Sequence, residues 1–205
     1  RIISNGMGDL IVGPQTYIEE EKDFISENLT RFFLGSNFSK KVYIFARDMR
    51  SFNFLKTVVP AAVHVDHDHD TALNLVQEDL GDLGKVKPST TDFYAIRMDK
   101  EKLDHEKSNP FRLWFDPIKY CSCFDNWVKA HAQARRIITD RLHSAILGSI
   151  LRREVVLLPN RFYKNKSVWE YSLTEKGVKW QEVLPCNIVE KQLMKVELYK
   201  RVCKS

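Results

Sequence analysis

Apolar residues in this chain fall into short unbroken runs, separated by longer stretches in which they recur every three or four positions. Over the first third that alternation predicts β-α-β-α-β order. Leu10 to Val12 reads as a buried strand ended by Gly13-Pro14-Gln15. Tyr17 to Leu34 spaces Ile18, Ile25, Leu29, Phe32 and Phe33 along one helical face, with Glu19 to Glu21 near the positive end of the helix dipole. Val42 to Phe45 then reads as a strand, Met49 to Thr57 as a helix and Val63 to Val65 as a third strand. This order implies a parallel sheet covered by helices on both faces and joined by right-handed crossovers.

Gly81 to Thr91 has linker composition, so the pattern divides the chain into an N-terminal half, 1–80, a linker, 81–91, and a C-terminal half, 92–205. Phe93 to Ile96 opens the second half as a strand. A charged helix around Lys100 to Lys107, an irregular Pro/aromatic stretch from Asn109 to Tyr120 and an amphipathic helix from Phe124 to Ala134 follow. The run from Arg136 to Asn160 holds one complete unit: a strand at Ile137-Ile138, a helix from Ser144 to Leu151 and a buried strand from Val155 to Leu158. Val168 to Leu173 and Ile188 to Lys200 read as further helices. The expected architecture is α/β, with two Rossmann-like halves built on parallel sheets and facing a cleft.

That strand-helix-strand unit places Arg141 and His143 at the turn where the helix begins. Ligands of such units bind outside the carboxyl ends of the strands, where helix N–H groups and the dipole favour an anion. A guanidinium offers a planar fork to a carboxylate or phosphate, and an imidazole exchanges protons near neutral pH. An Arg-Asp surface pair and a histidine capping its own helix would satisfy the same spacing.

Composition narrows the picture only a little. The 205 residues are 43% hydrophobic, enough for packed cores, and carry a net charge of +5 spread among acids rather than bunched in an arm. Nucleic acid is not called for; an anionic metabolite or a peripheral membrane contact suits the basic residues equally. Cys121, Cys123, Cys186 and Cys203 lack the spacing of a zinc or redox motif, so reduced, mostly packed thiols are expected. No apolar run is long enough to span a bilayer, and Arg1 to Ser4 is no signal peptide. The expected compartment is the cytoplasm, or the Golgi lumen in a eukaryote. Sequons occur at Asn28, Asn37 and Asn165.

Five motifs, taken in order, resemble the polysaccharide pyruvyl transferases. They are Gly13-Pro14-Gln15-Thr16; Ala46-Arg47-Asp48 with Ser51; Asp70-Thr71-Ala72-Leu73; Arg97-Met98-Asp99-Lys100-Glu101; and Thr139-Asp140-Arg141-Leu142-His143, followed by Leu158-Pro159-Asn160 and Tyr163-Lys164-Asn165. The resemblance implies a glycosyltransferase-B-like pair of halves that moves the enolpyruvyl group of phosphoenolpyruvate onto a sugar of a glycan or lipid-linked oligosaccharide. The product would be a pyruvate ketal, formed with phosphoenolpyruvate as co-substrate and without redox cofactor or essential metal. It also implies that Arg141, Leu142 and His143 form the donor signature, with His143 as the acid and Arg47 reaching the same cleft.

Phosphoenolpyruvate carries a phosphate and a carboxylate on three carbons, so its site needs cations and N–H donors from more than one element. Arg97 ends a strand and either faces that site or pairs with Asp99 or Glu101. Asn160, Lys164 and Asn165 follow a strand end and are candidates for phosphate or sugar hydroxyls. Trp169 or Tyr171 would stack on a sugar or pack in the core. The run His64-Val65-Asp66-His67-Asp68-His69-Asp70 suggests a metal, but adjacent residues of one strand converge poorly on a tetrahedral ion. The N-terminal Asn and Gly-Asp motif of the family survives only as Asn5-Gly6-Met7-Gly8-Asp9, as if the first half were shortened. Two rival readings are a nucleotide-sugar glycosyltransferase of the same architecture and a non-catalytic glycan-binding module.

Overall fold

The structure is a computed structural model that describes residues 2–4, 10–17, 23, 26–27, 41–89, 91–99, 101, 103 and 115–183. The chain divides into two compact units, Arg1–Thr71 and Ala72–Ser205. The helices expected over Tyr17 to Leu34, Lys100 to Lys107 and Ile188 to Lys200 lie largely or wholly outside the described residues.

The first unit is built on a four-stranded sheet, β1 (Ile2–Ser4), β2 (Leu10–Gln15), β3 (Val42–Ala46) and β4 (Val63–His67), in that spatial order. β2, β3 and β4 run parallel and β1 is antiparallel on the edge. The strand expected to stop at Gly13 instead continues to Gln15, because a register shift between Val12 and Gln15 absorbs the Gly13-Pro14 pair. Helix α1 (Met49–Val58) begins at Asp48, whose carboxylate accepts from the Ser51 N–H at 2.8 Å and from its hydroxyl at 2.8 Å. Leu55 is fully buried and closes a core with Val42, Ile44, Ala46 and Val63.

The second unit carries a wholly parallel sheet: β5 (Asp92–Ala95), β6 (Arg136–Thr139), β7 (Glu154–Leu157) and β8 (Lys179–Trp180). In β5, β6 and β7 every residue after the first is buried, the mark of a sheet covered on both faces. Between the strands lie α2 (Pro117–Tyr120), α3 (Phe124–Ala132), α4 (Leu142–Ile150) and α5 (Lys164–Val168), which runs into one π-helical turn, Trp169–Leu173. α4 lies so close to the sheet that a Cβ at Gly148 would meet Val155 Cγ2 at 2.7 Å and Ile137 Cδ1 at 2.8 Å. Only glycine fits between that helix and those strands.

The stretch 81–91 expected as a linker is in part structural. Gln77–Lys85 forms a 3-10 helix, and Leu80, Leu83 and Val86 pack on Val128, Ala132, Leu147 and Leu151. Those three partly buried side chains tie the stretch to the core of the second unit, which begins at Ala72.

Candidate active site

Three adjacent parallel strands of the second unit end at the same edge, and each delivers basic or amide side chains there. Arg97 follows β5, Arg141 follows β6, and Asn160, Lys164 and Asn165 follow β7. The strand ends are tied together first. Thr139 donates its hydroxyl to the Ala95 carbonyl at 2.6 Å and accepts from the Arg141 N–H at 2.9 Å. Asp140, fully buried, accepts from the Arg97 N–H at 2.8 Å, and its own carbonyl accepts from Asn165 Nδ2 at 2.7 Å. Burial pushes the Asp140 carboxyl up to about 7, against the pull of the Arg97 N–H and the two guanidiniums.

On that frame the cations meet carboxylates. Arg141 grips Asp116 with two nitrogens, at 2.8 and 2.6 Å, and reaches Asp99 at 3.0 Å. Asp116 is held in turn as the cap of α2, accepting from the Ile118 N–H at 3.2 Å and from the Met98 N–H at 2.9 Å. Arg97 makes its own two-point pair with Asp99, at 2.9 and 3.0 Å, and a third contact with Glu101 at 2.8 Å. The Arg97 hydrogen bond holds the Asp99 carboxyl down to about 2. Glu101 also accepts from Lys164 at 2.7 Å and from Asn160 Nδ2 at 3.4 Å. Arg97, Arg141 and Lys164 are thus matched by Asp99, Glu101 and Asp116 in one continuous network.

His143 stands two residues after Arg141 but faces elsewhere. It is exposed, and it lines a cavity of about 460 Å³ whose other walls include Pro117, Ile118, Trp127, Ile146 and Ile150. The expected convergence of guanidinium and imidazole on one ligand is therefore not the arrangement here: Arg141 turns to its carboxylates and His143 to an apolar wall. Leu142 between them is buried in the core with Ala145, Val155 and Leu157.

Of the two readings left open for Arg97, the pairing with Asp99 and Glu101 is the one seen. Asn165 is fully buried, bridging the Asp140 and Leu158 carbonyls at 2.7 and 3.0 Å, so its sequon is closed off inside the fold and its amide is a brace. Asn28 and Asn37 lie outside the described residues. Trp169 packs against the core and Trp180 and donates to the Val178 carbonyl at 2.7 Å, which makes it a core aromatic rather than a sugar platform. Cys121 and Cys123 are reduced as expected, but Cys123 is exposed rather than packed; Cys186 and Cys203 lie outside the described residues.

Within the first unit, Arg47 donates to the Thr16 hydroxyl at 2.8 Å and pairs with Asp70, itself 4% exposed. Three of the sequence motifs thereby meet around one guanidinium, and Asp48 of the second caps α1. Of the His/Asp run, His64 stacks on Tyr43 at 5.0 Å between centroids, His67 packs on Phe52 at 4.9 Å, and Asp70 turns inward. Among the described residues no three His, Cys, Asp or Glu side chains are grouped to hold a metal.

Sequence reasoning missed Asp116. Its signal was Asp116-Pro117, an N-cap followed by proline at the first helical position, inside a stretch read as irregular.

A parallel sheet with helices between its strands, and cations, amides and a histidine at its carboxyl edge, is a Rossmann-like α/β unit. Residues 8–161 match the family polysaccharide pyruvyl transferase, and the chain belongs to that family. A functionally uncharacterised protein from Klebsiella pneumoniae has a similar structure, with TM-score 0.54 and 25% identity over 84% of this chain. The chain spans 63% of the length of that protein. No curated protein matches the chain.

Proposed function

We propose that the protein is a transferase that moves the enolpyruvyl group of phosphoenolpyruvate onto a sugar of a glycan or lipid-linked acceptor, forming a pyruvate ketal in polysaccharide biosynthesis. Membership of the pyruvyl transferase family supports the reaction class. The observation that carries the donor is the network at the ends of β5, β6 and β7, where two guanidiniums and an ammonium gather within hydrogen-bonding reach of shared carboxylates. A donor with a phosphate and a carboxylate needs cations from several elements, and this edge gathers them, each now paired with a carboxylate that the donor has to share or displace. The glycosyltransferase-B-like pairing of the two units is part of the same reading.

The chemistry runs in balanced steps. A proton passes to the methylene carbon of phosphoenolpyruvate, which becomes the methyl group and leaves C2 electrophilic. One sugar hydroxyl bonds to C2 and gives up its proton. The C2–O bond to phosphate breaks, a second hydroxyl of the same sugar closes the ketal, and its proton leaves with hydrogen phosphate. His143 is the proton donor in this reading: it is exposed on the first turn of α4, and its ring has to swing from the apolar cavity wall to reach a donor held at the strand ends. Arg141, carried on the same turn, stabilises the negative charge that collects on the departing phosphate. Asn160 and Lys164 hold the anionic donor at the next strand end, and Asn165 braces the loop that presents them.

Because His143 is exposed, His143→Gln leaves the fold intact, and it is expected to cut phosphate release from phosphoenolpyruvate plus acceptor by roughly 10²- to 10⁴-fold. Arg141→Lys, which keeps the charge but loses the fork, is expected to lower the same rate with thermal stability reduced. Release by His143→Gln at the wild-type rate would refute the assignment.

A further inference from the structure

We propose that Glu101 occupies the chain's own anion site, so that a phosphate or carboxylate of the substrate binds by displacing it. This rests on the donor site just described and adds a competitor built into the fold. The Glu101 carboxylate receives Arg97 Nη1 at 2.8 Å, Lys164 Nζ at 2.7 Å and Asn160 Nδ2 at 3.4 Å. A guanidinium, an ammonium and an amide converging on one group, from the ends of two different strands, is the donor set of a seat for an exogenous anion. In this structure the anion is a side chain.

Two further observations separate this from an ordinary structural ion pair. Asn160 is only 5% exposed, and its Oδ1 has no hydrogen-bond partner among the described residues. A buried acceptor left unpaired costs stability unless a ligand satisfies it. A hydroxyl or protonated phosphate oxygen arriving at this seat would do so, which the Glu101 carboxylate, having no proton to give, does not. Second, Arg97 has a partner besides Glu101, its two-point pair with Asp99. Asp99 and Met98, which lead into Glu101, are exposed, so the carboxylate has solvent to move into. Displacement therefore costs the two partly exposed ion pairs to Arg97 and Lys164 and the long Asn160 hydrogen bond, all of which the incoming anion replaces in kind, and it leaves the buried Arg141–Asp116 pair intact.

The apparent affinity for an incoming anion falls by the fraction of molecules whose seat is open. If Glu101 fills the seat in about nine molecules of ten, removing its charge tightens anion binding roughly tenfold. The test is calorimetric titration of the wild type, Glu101→Gln and Glu101→Asp with inorganic phosphate and, separately, with pyruvate, at fixed ionic strength. Glu101→Gln is expected to bind at least one of the two roughly tenfold more tightly. The ligand that gains identifies the seat as phosphoryl or carboxylate. Glu101→Asp, whose carboxylate is withdrawn by one methylene, is expected to gain by less, and it carries the test if Glu101→Gln does not fold.

Equal or weaker binding of both anions by a folded Glu101 variant overturns the inference. Tighter anion binding with no phosphate release from phosphoenolpyruvate and any sugar acceptor would sink the proposed reaction and leave the self-occupied seat standing. Normal turnover without tighter binding would do the reverse.

Discussion

At the level of single residues, the informative positions are those whose charge is set by their surroundings. Asp140 is raised to about 7 by burial and Asp99 is lowered to about 2 by Arg97, on neighbouring strand ends. Their effects on stability have opposite sign. The Asp140 contribution is fully present below the unfolded value near 4 and is lost as pH rises through about 7, because the folded state is the one that prefers the proton. The Asp99 contribution is present above about 4 and is lost as pH falls toward 2. Asp140→Asn is therefore expected to gain stability relative to the wild type as pH is raised from 4 to 7, read as the difference in thermal midpoints. His131, pushed down to about 4 by burial, runs against Asp140 over much of that window, so only the difference between variants exposes the effect. A pH-independent difference would place the Asp140 charge elsewhere. Asp116→Asn, which weakens the grip on a nearly buried guanidinium that keeps Asp99 as a partner, is expected to cost about 1.5–3 kcal/mol in denaturant unfolding.

The elements show which parts of the architecture the amino-acid pattern carries. β5, β6 and β7 lie within a residue of their expected places, since a strand buried on both faces reads as an apolar run, and β3 and β4, buried on one face only, lie within a residue or two of theirs because their buried positions alternate. α4 was legible for a related reason, having apolar residues at helical spacing immediately after a strand. The 3-10 helix at Gln77–Lys85 was not, because its glycines and acids read as a linker while its three packing residues are too few to show a period. β8, two residues long, gives no pattern at all. The candidate cations were legible from motifs, but Asp116, which holds Arg141 from 25 positions away, was not, because pairing over such a distance exists only once the sheet has formed. The tightest element contact gives a prediction of its own: Gly148→Ala drives a methyl into Val155 and Ile137 and is expected to destabilise by about 1–3 kcal/mol. Unfolding at the wild-type midpoint would mean that α4 moves away from the sheet without strain.

At the scale of the whole chain, two units with separate cores carry motifs of one family, and the ligand class is decided by what stabilises the folded protein. Phosphoenolpyruvate at 100 times its dissociation constant is expected to stabilise the chain by about 2.7 kcal/mol, with no comparable shift from a uridine or guanosine diphosphate sugar. The opposite result in a thermal shift assay would favour a nucleotide-sugar enzyme of the same architecture. The enclosed position of Asn165 reaches beyond the site. Its sequon, Asn165-Lys166-Ser167, is accessible only in the nascent chain, while the finished protein has both amide hydrogens committed to carbonyls. Oligosaccharide attached there during translocation into a secretory lumen would have nowhere to go once β7 and α5 came together. Material produced through such a host would divide into an unmodified fraction that matures and a glycosylated fraction retained as misfolded.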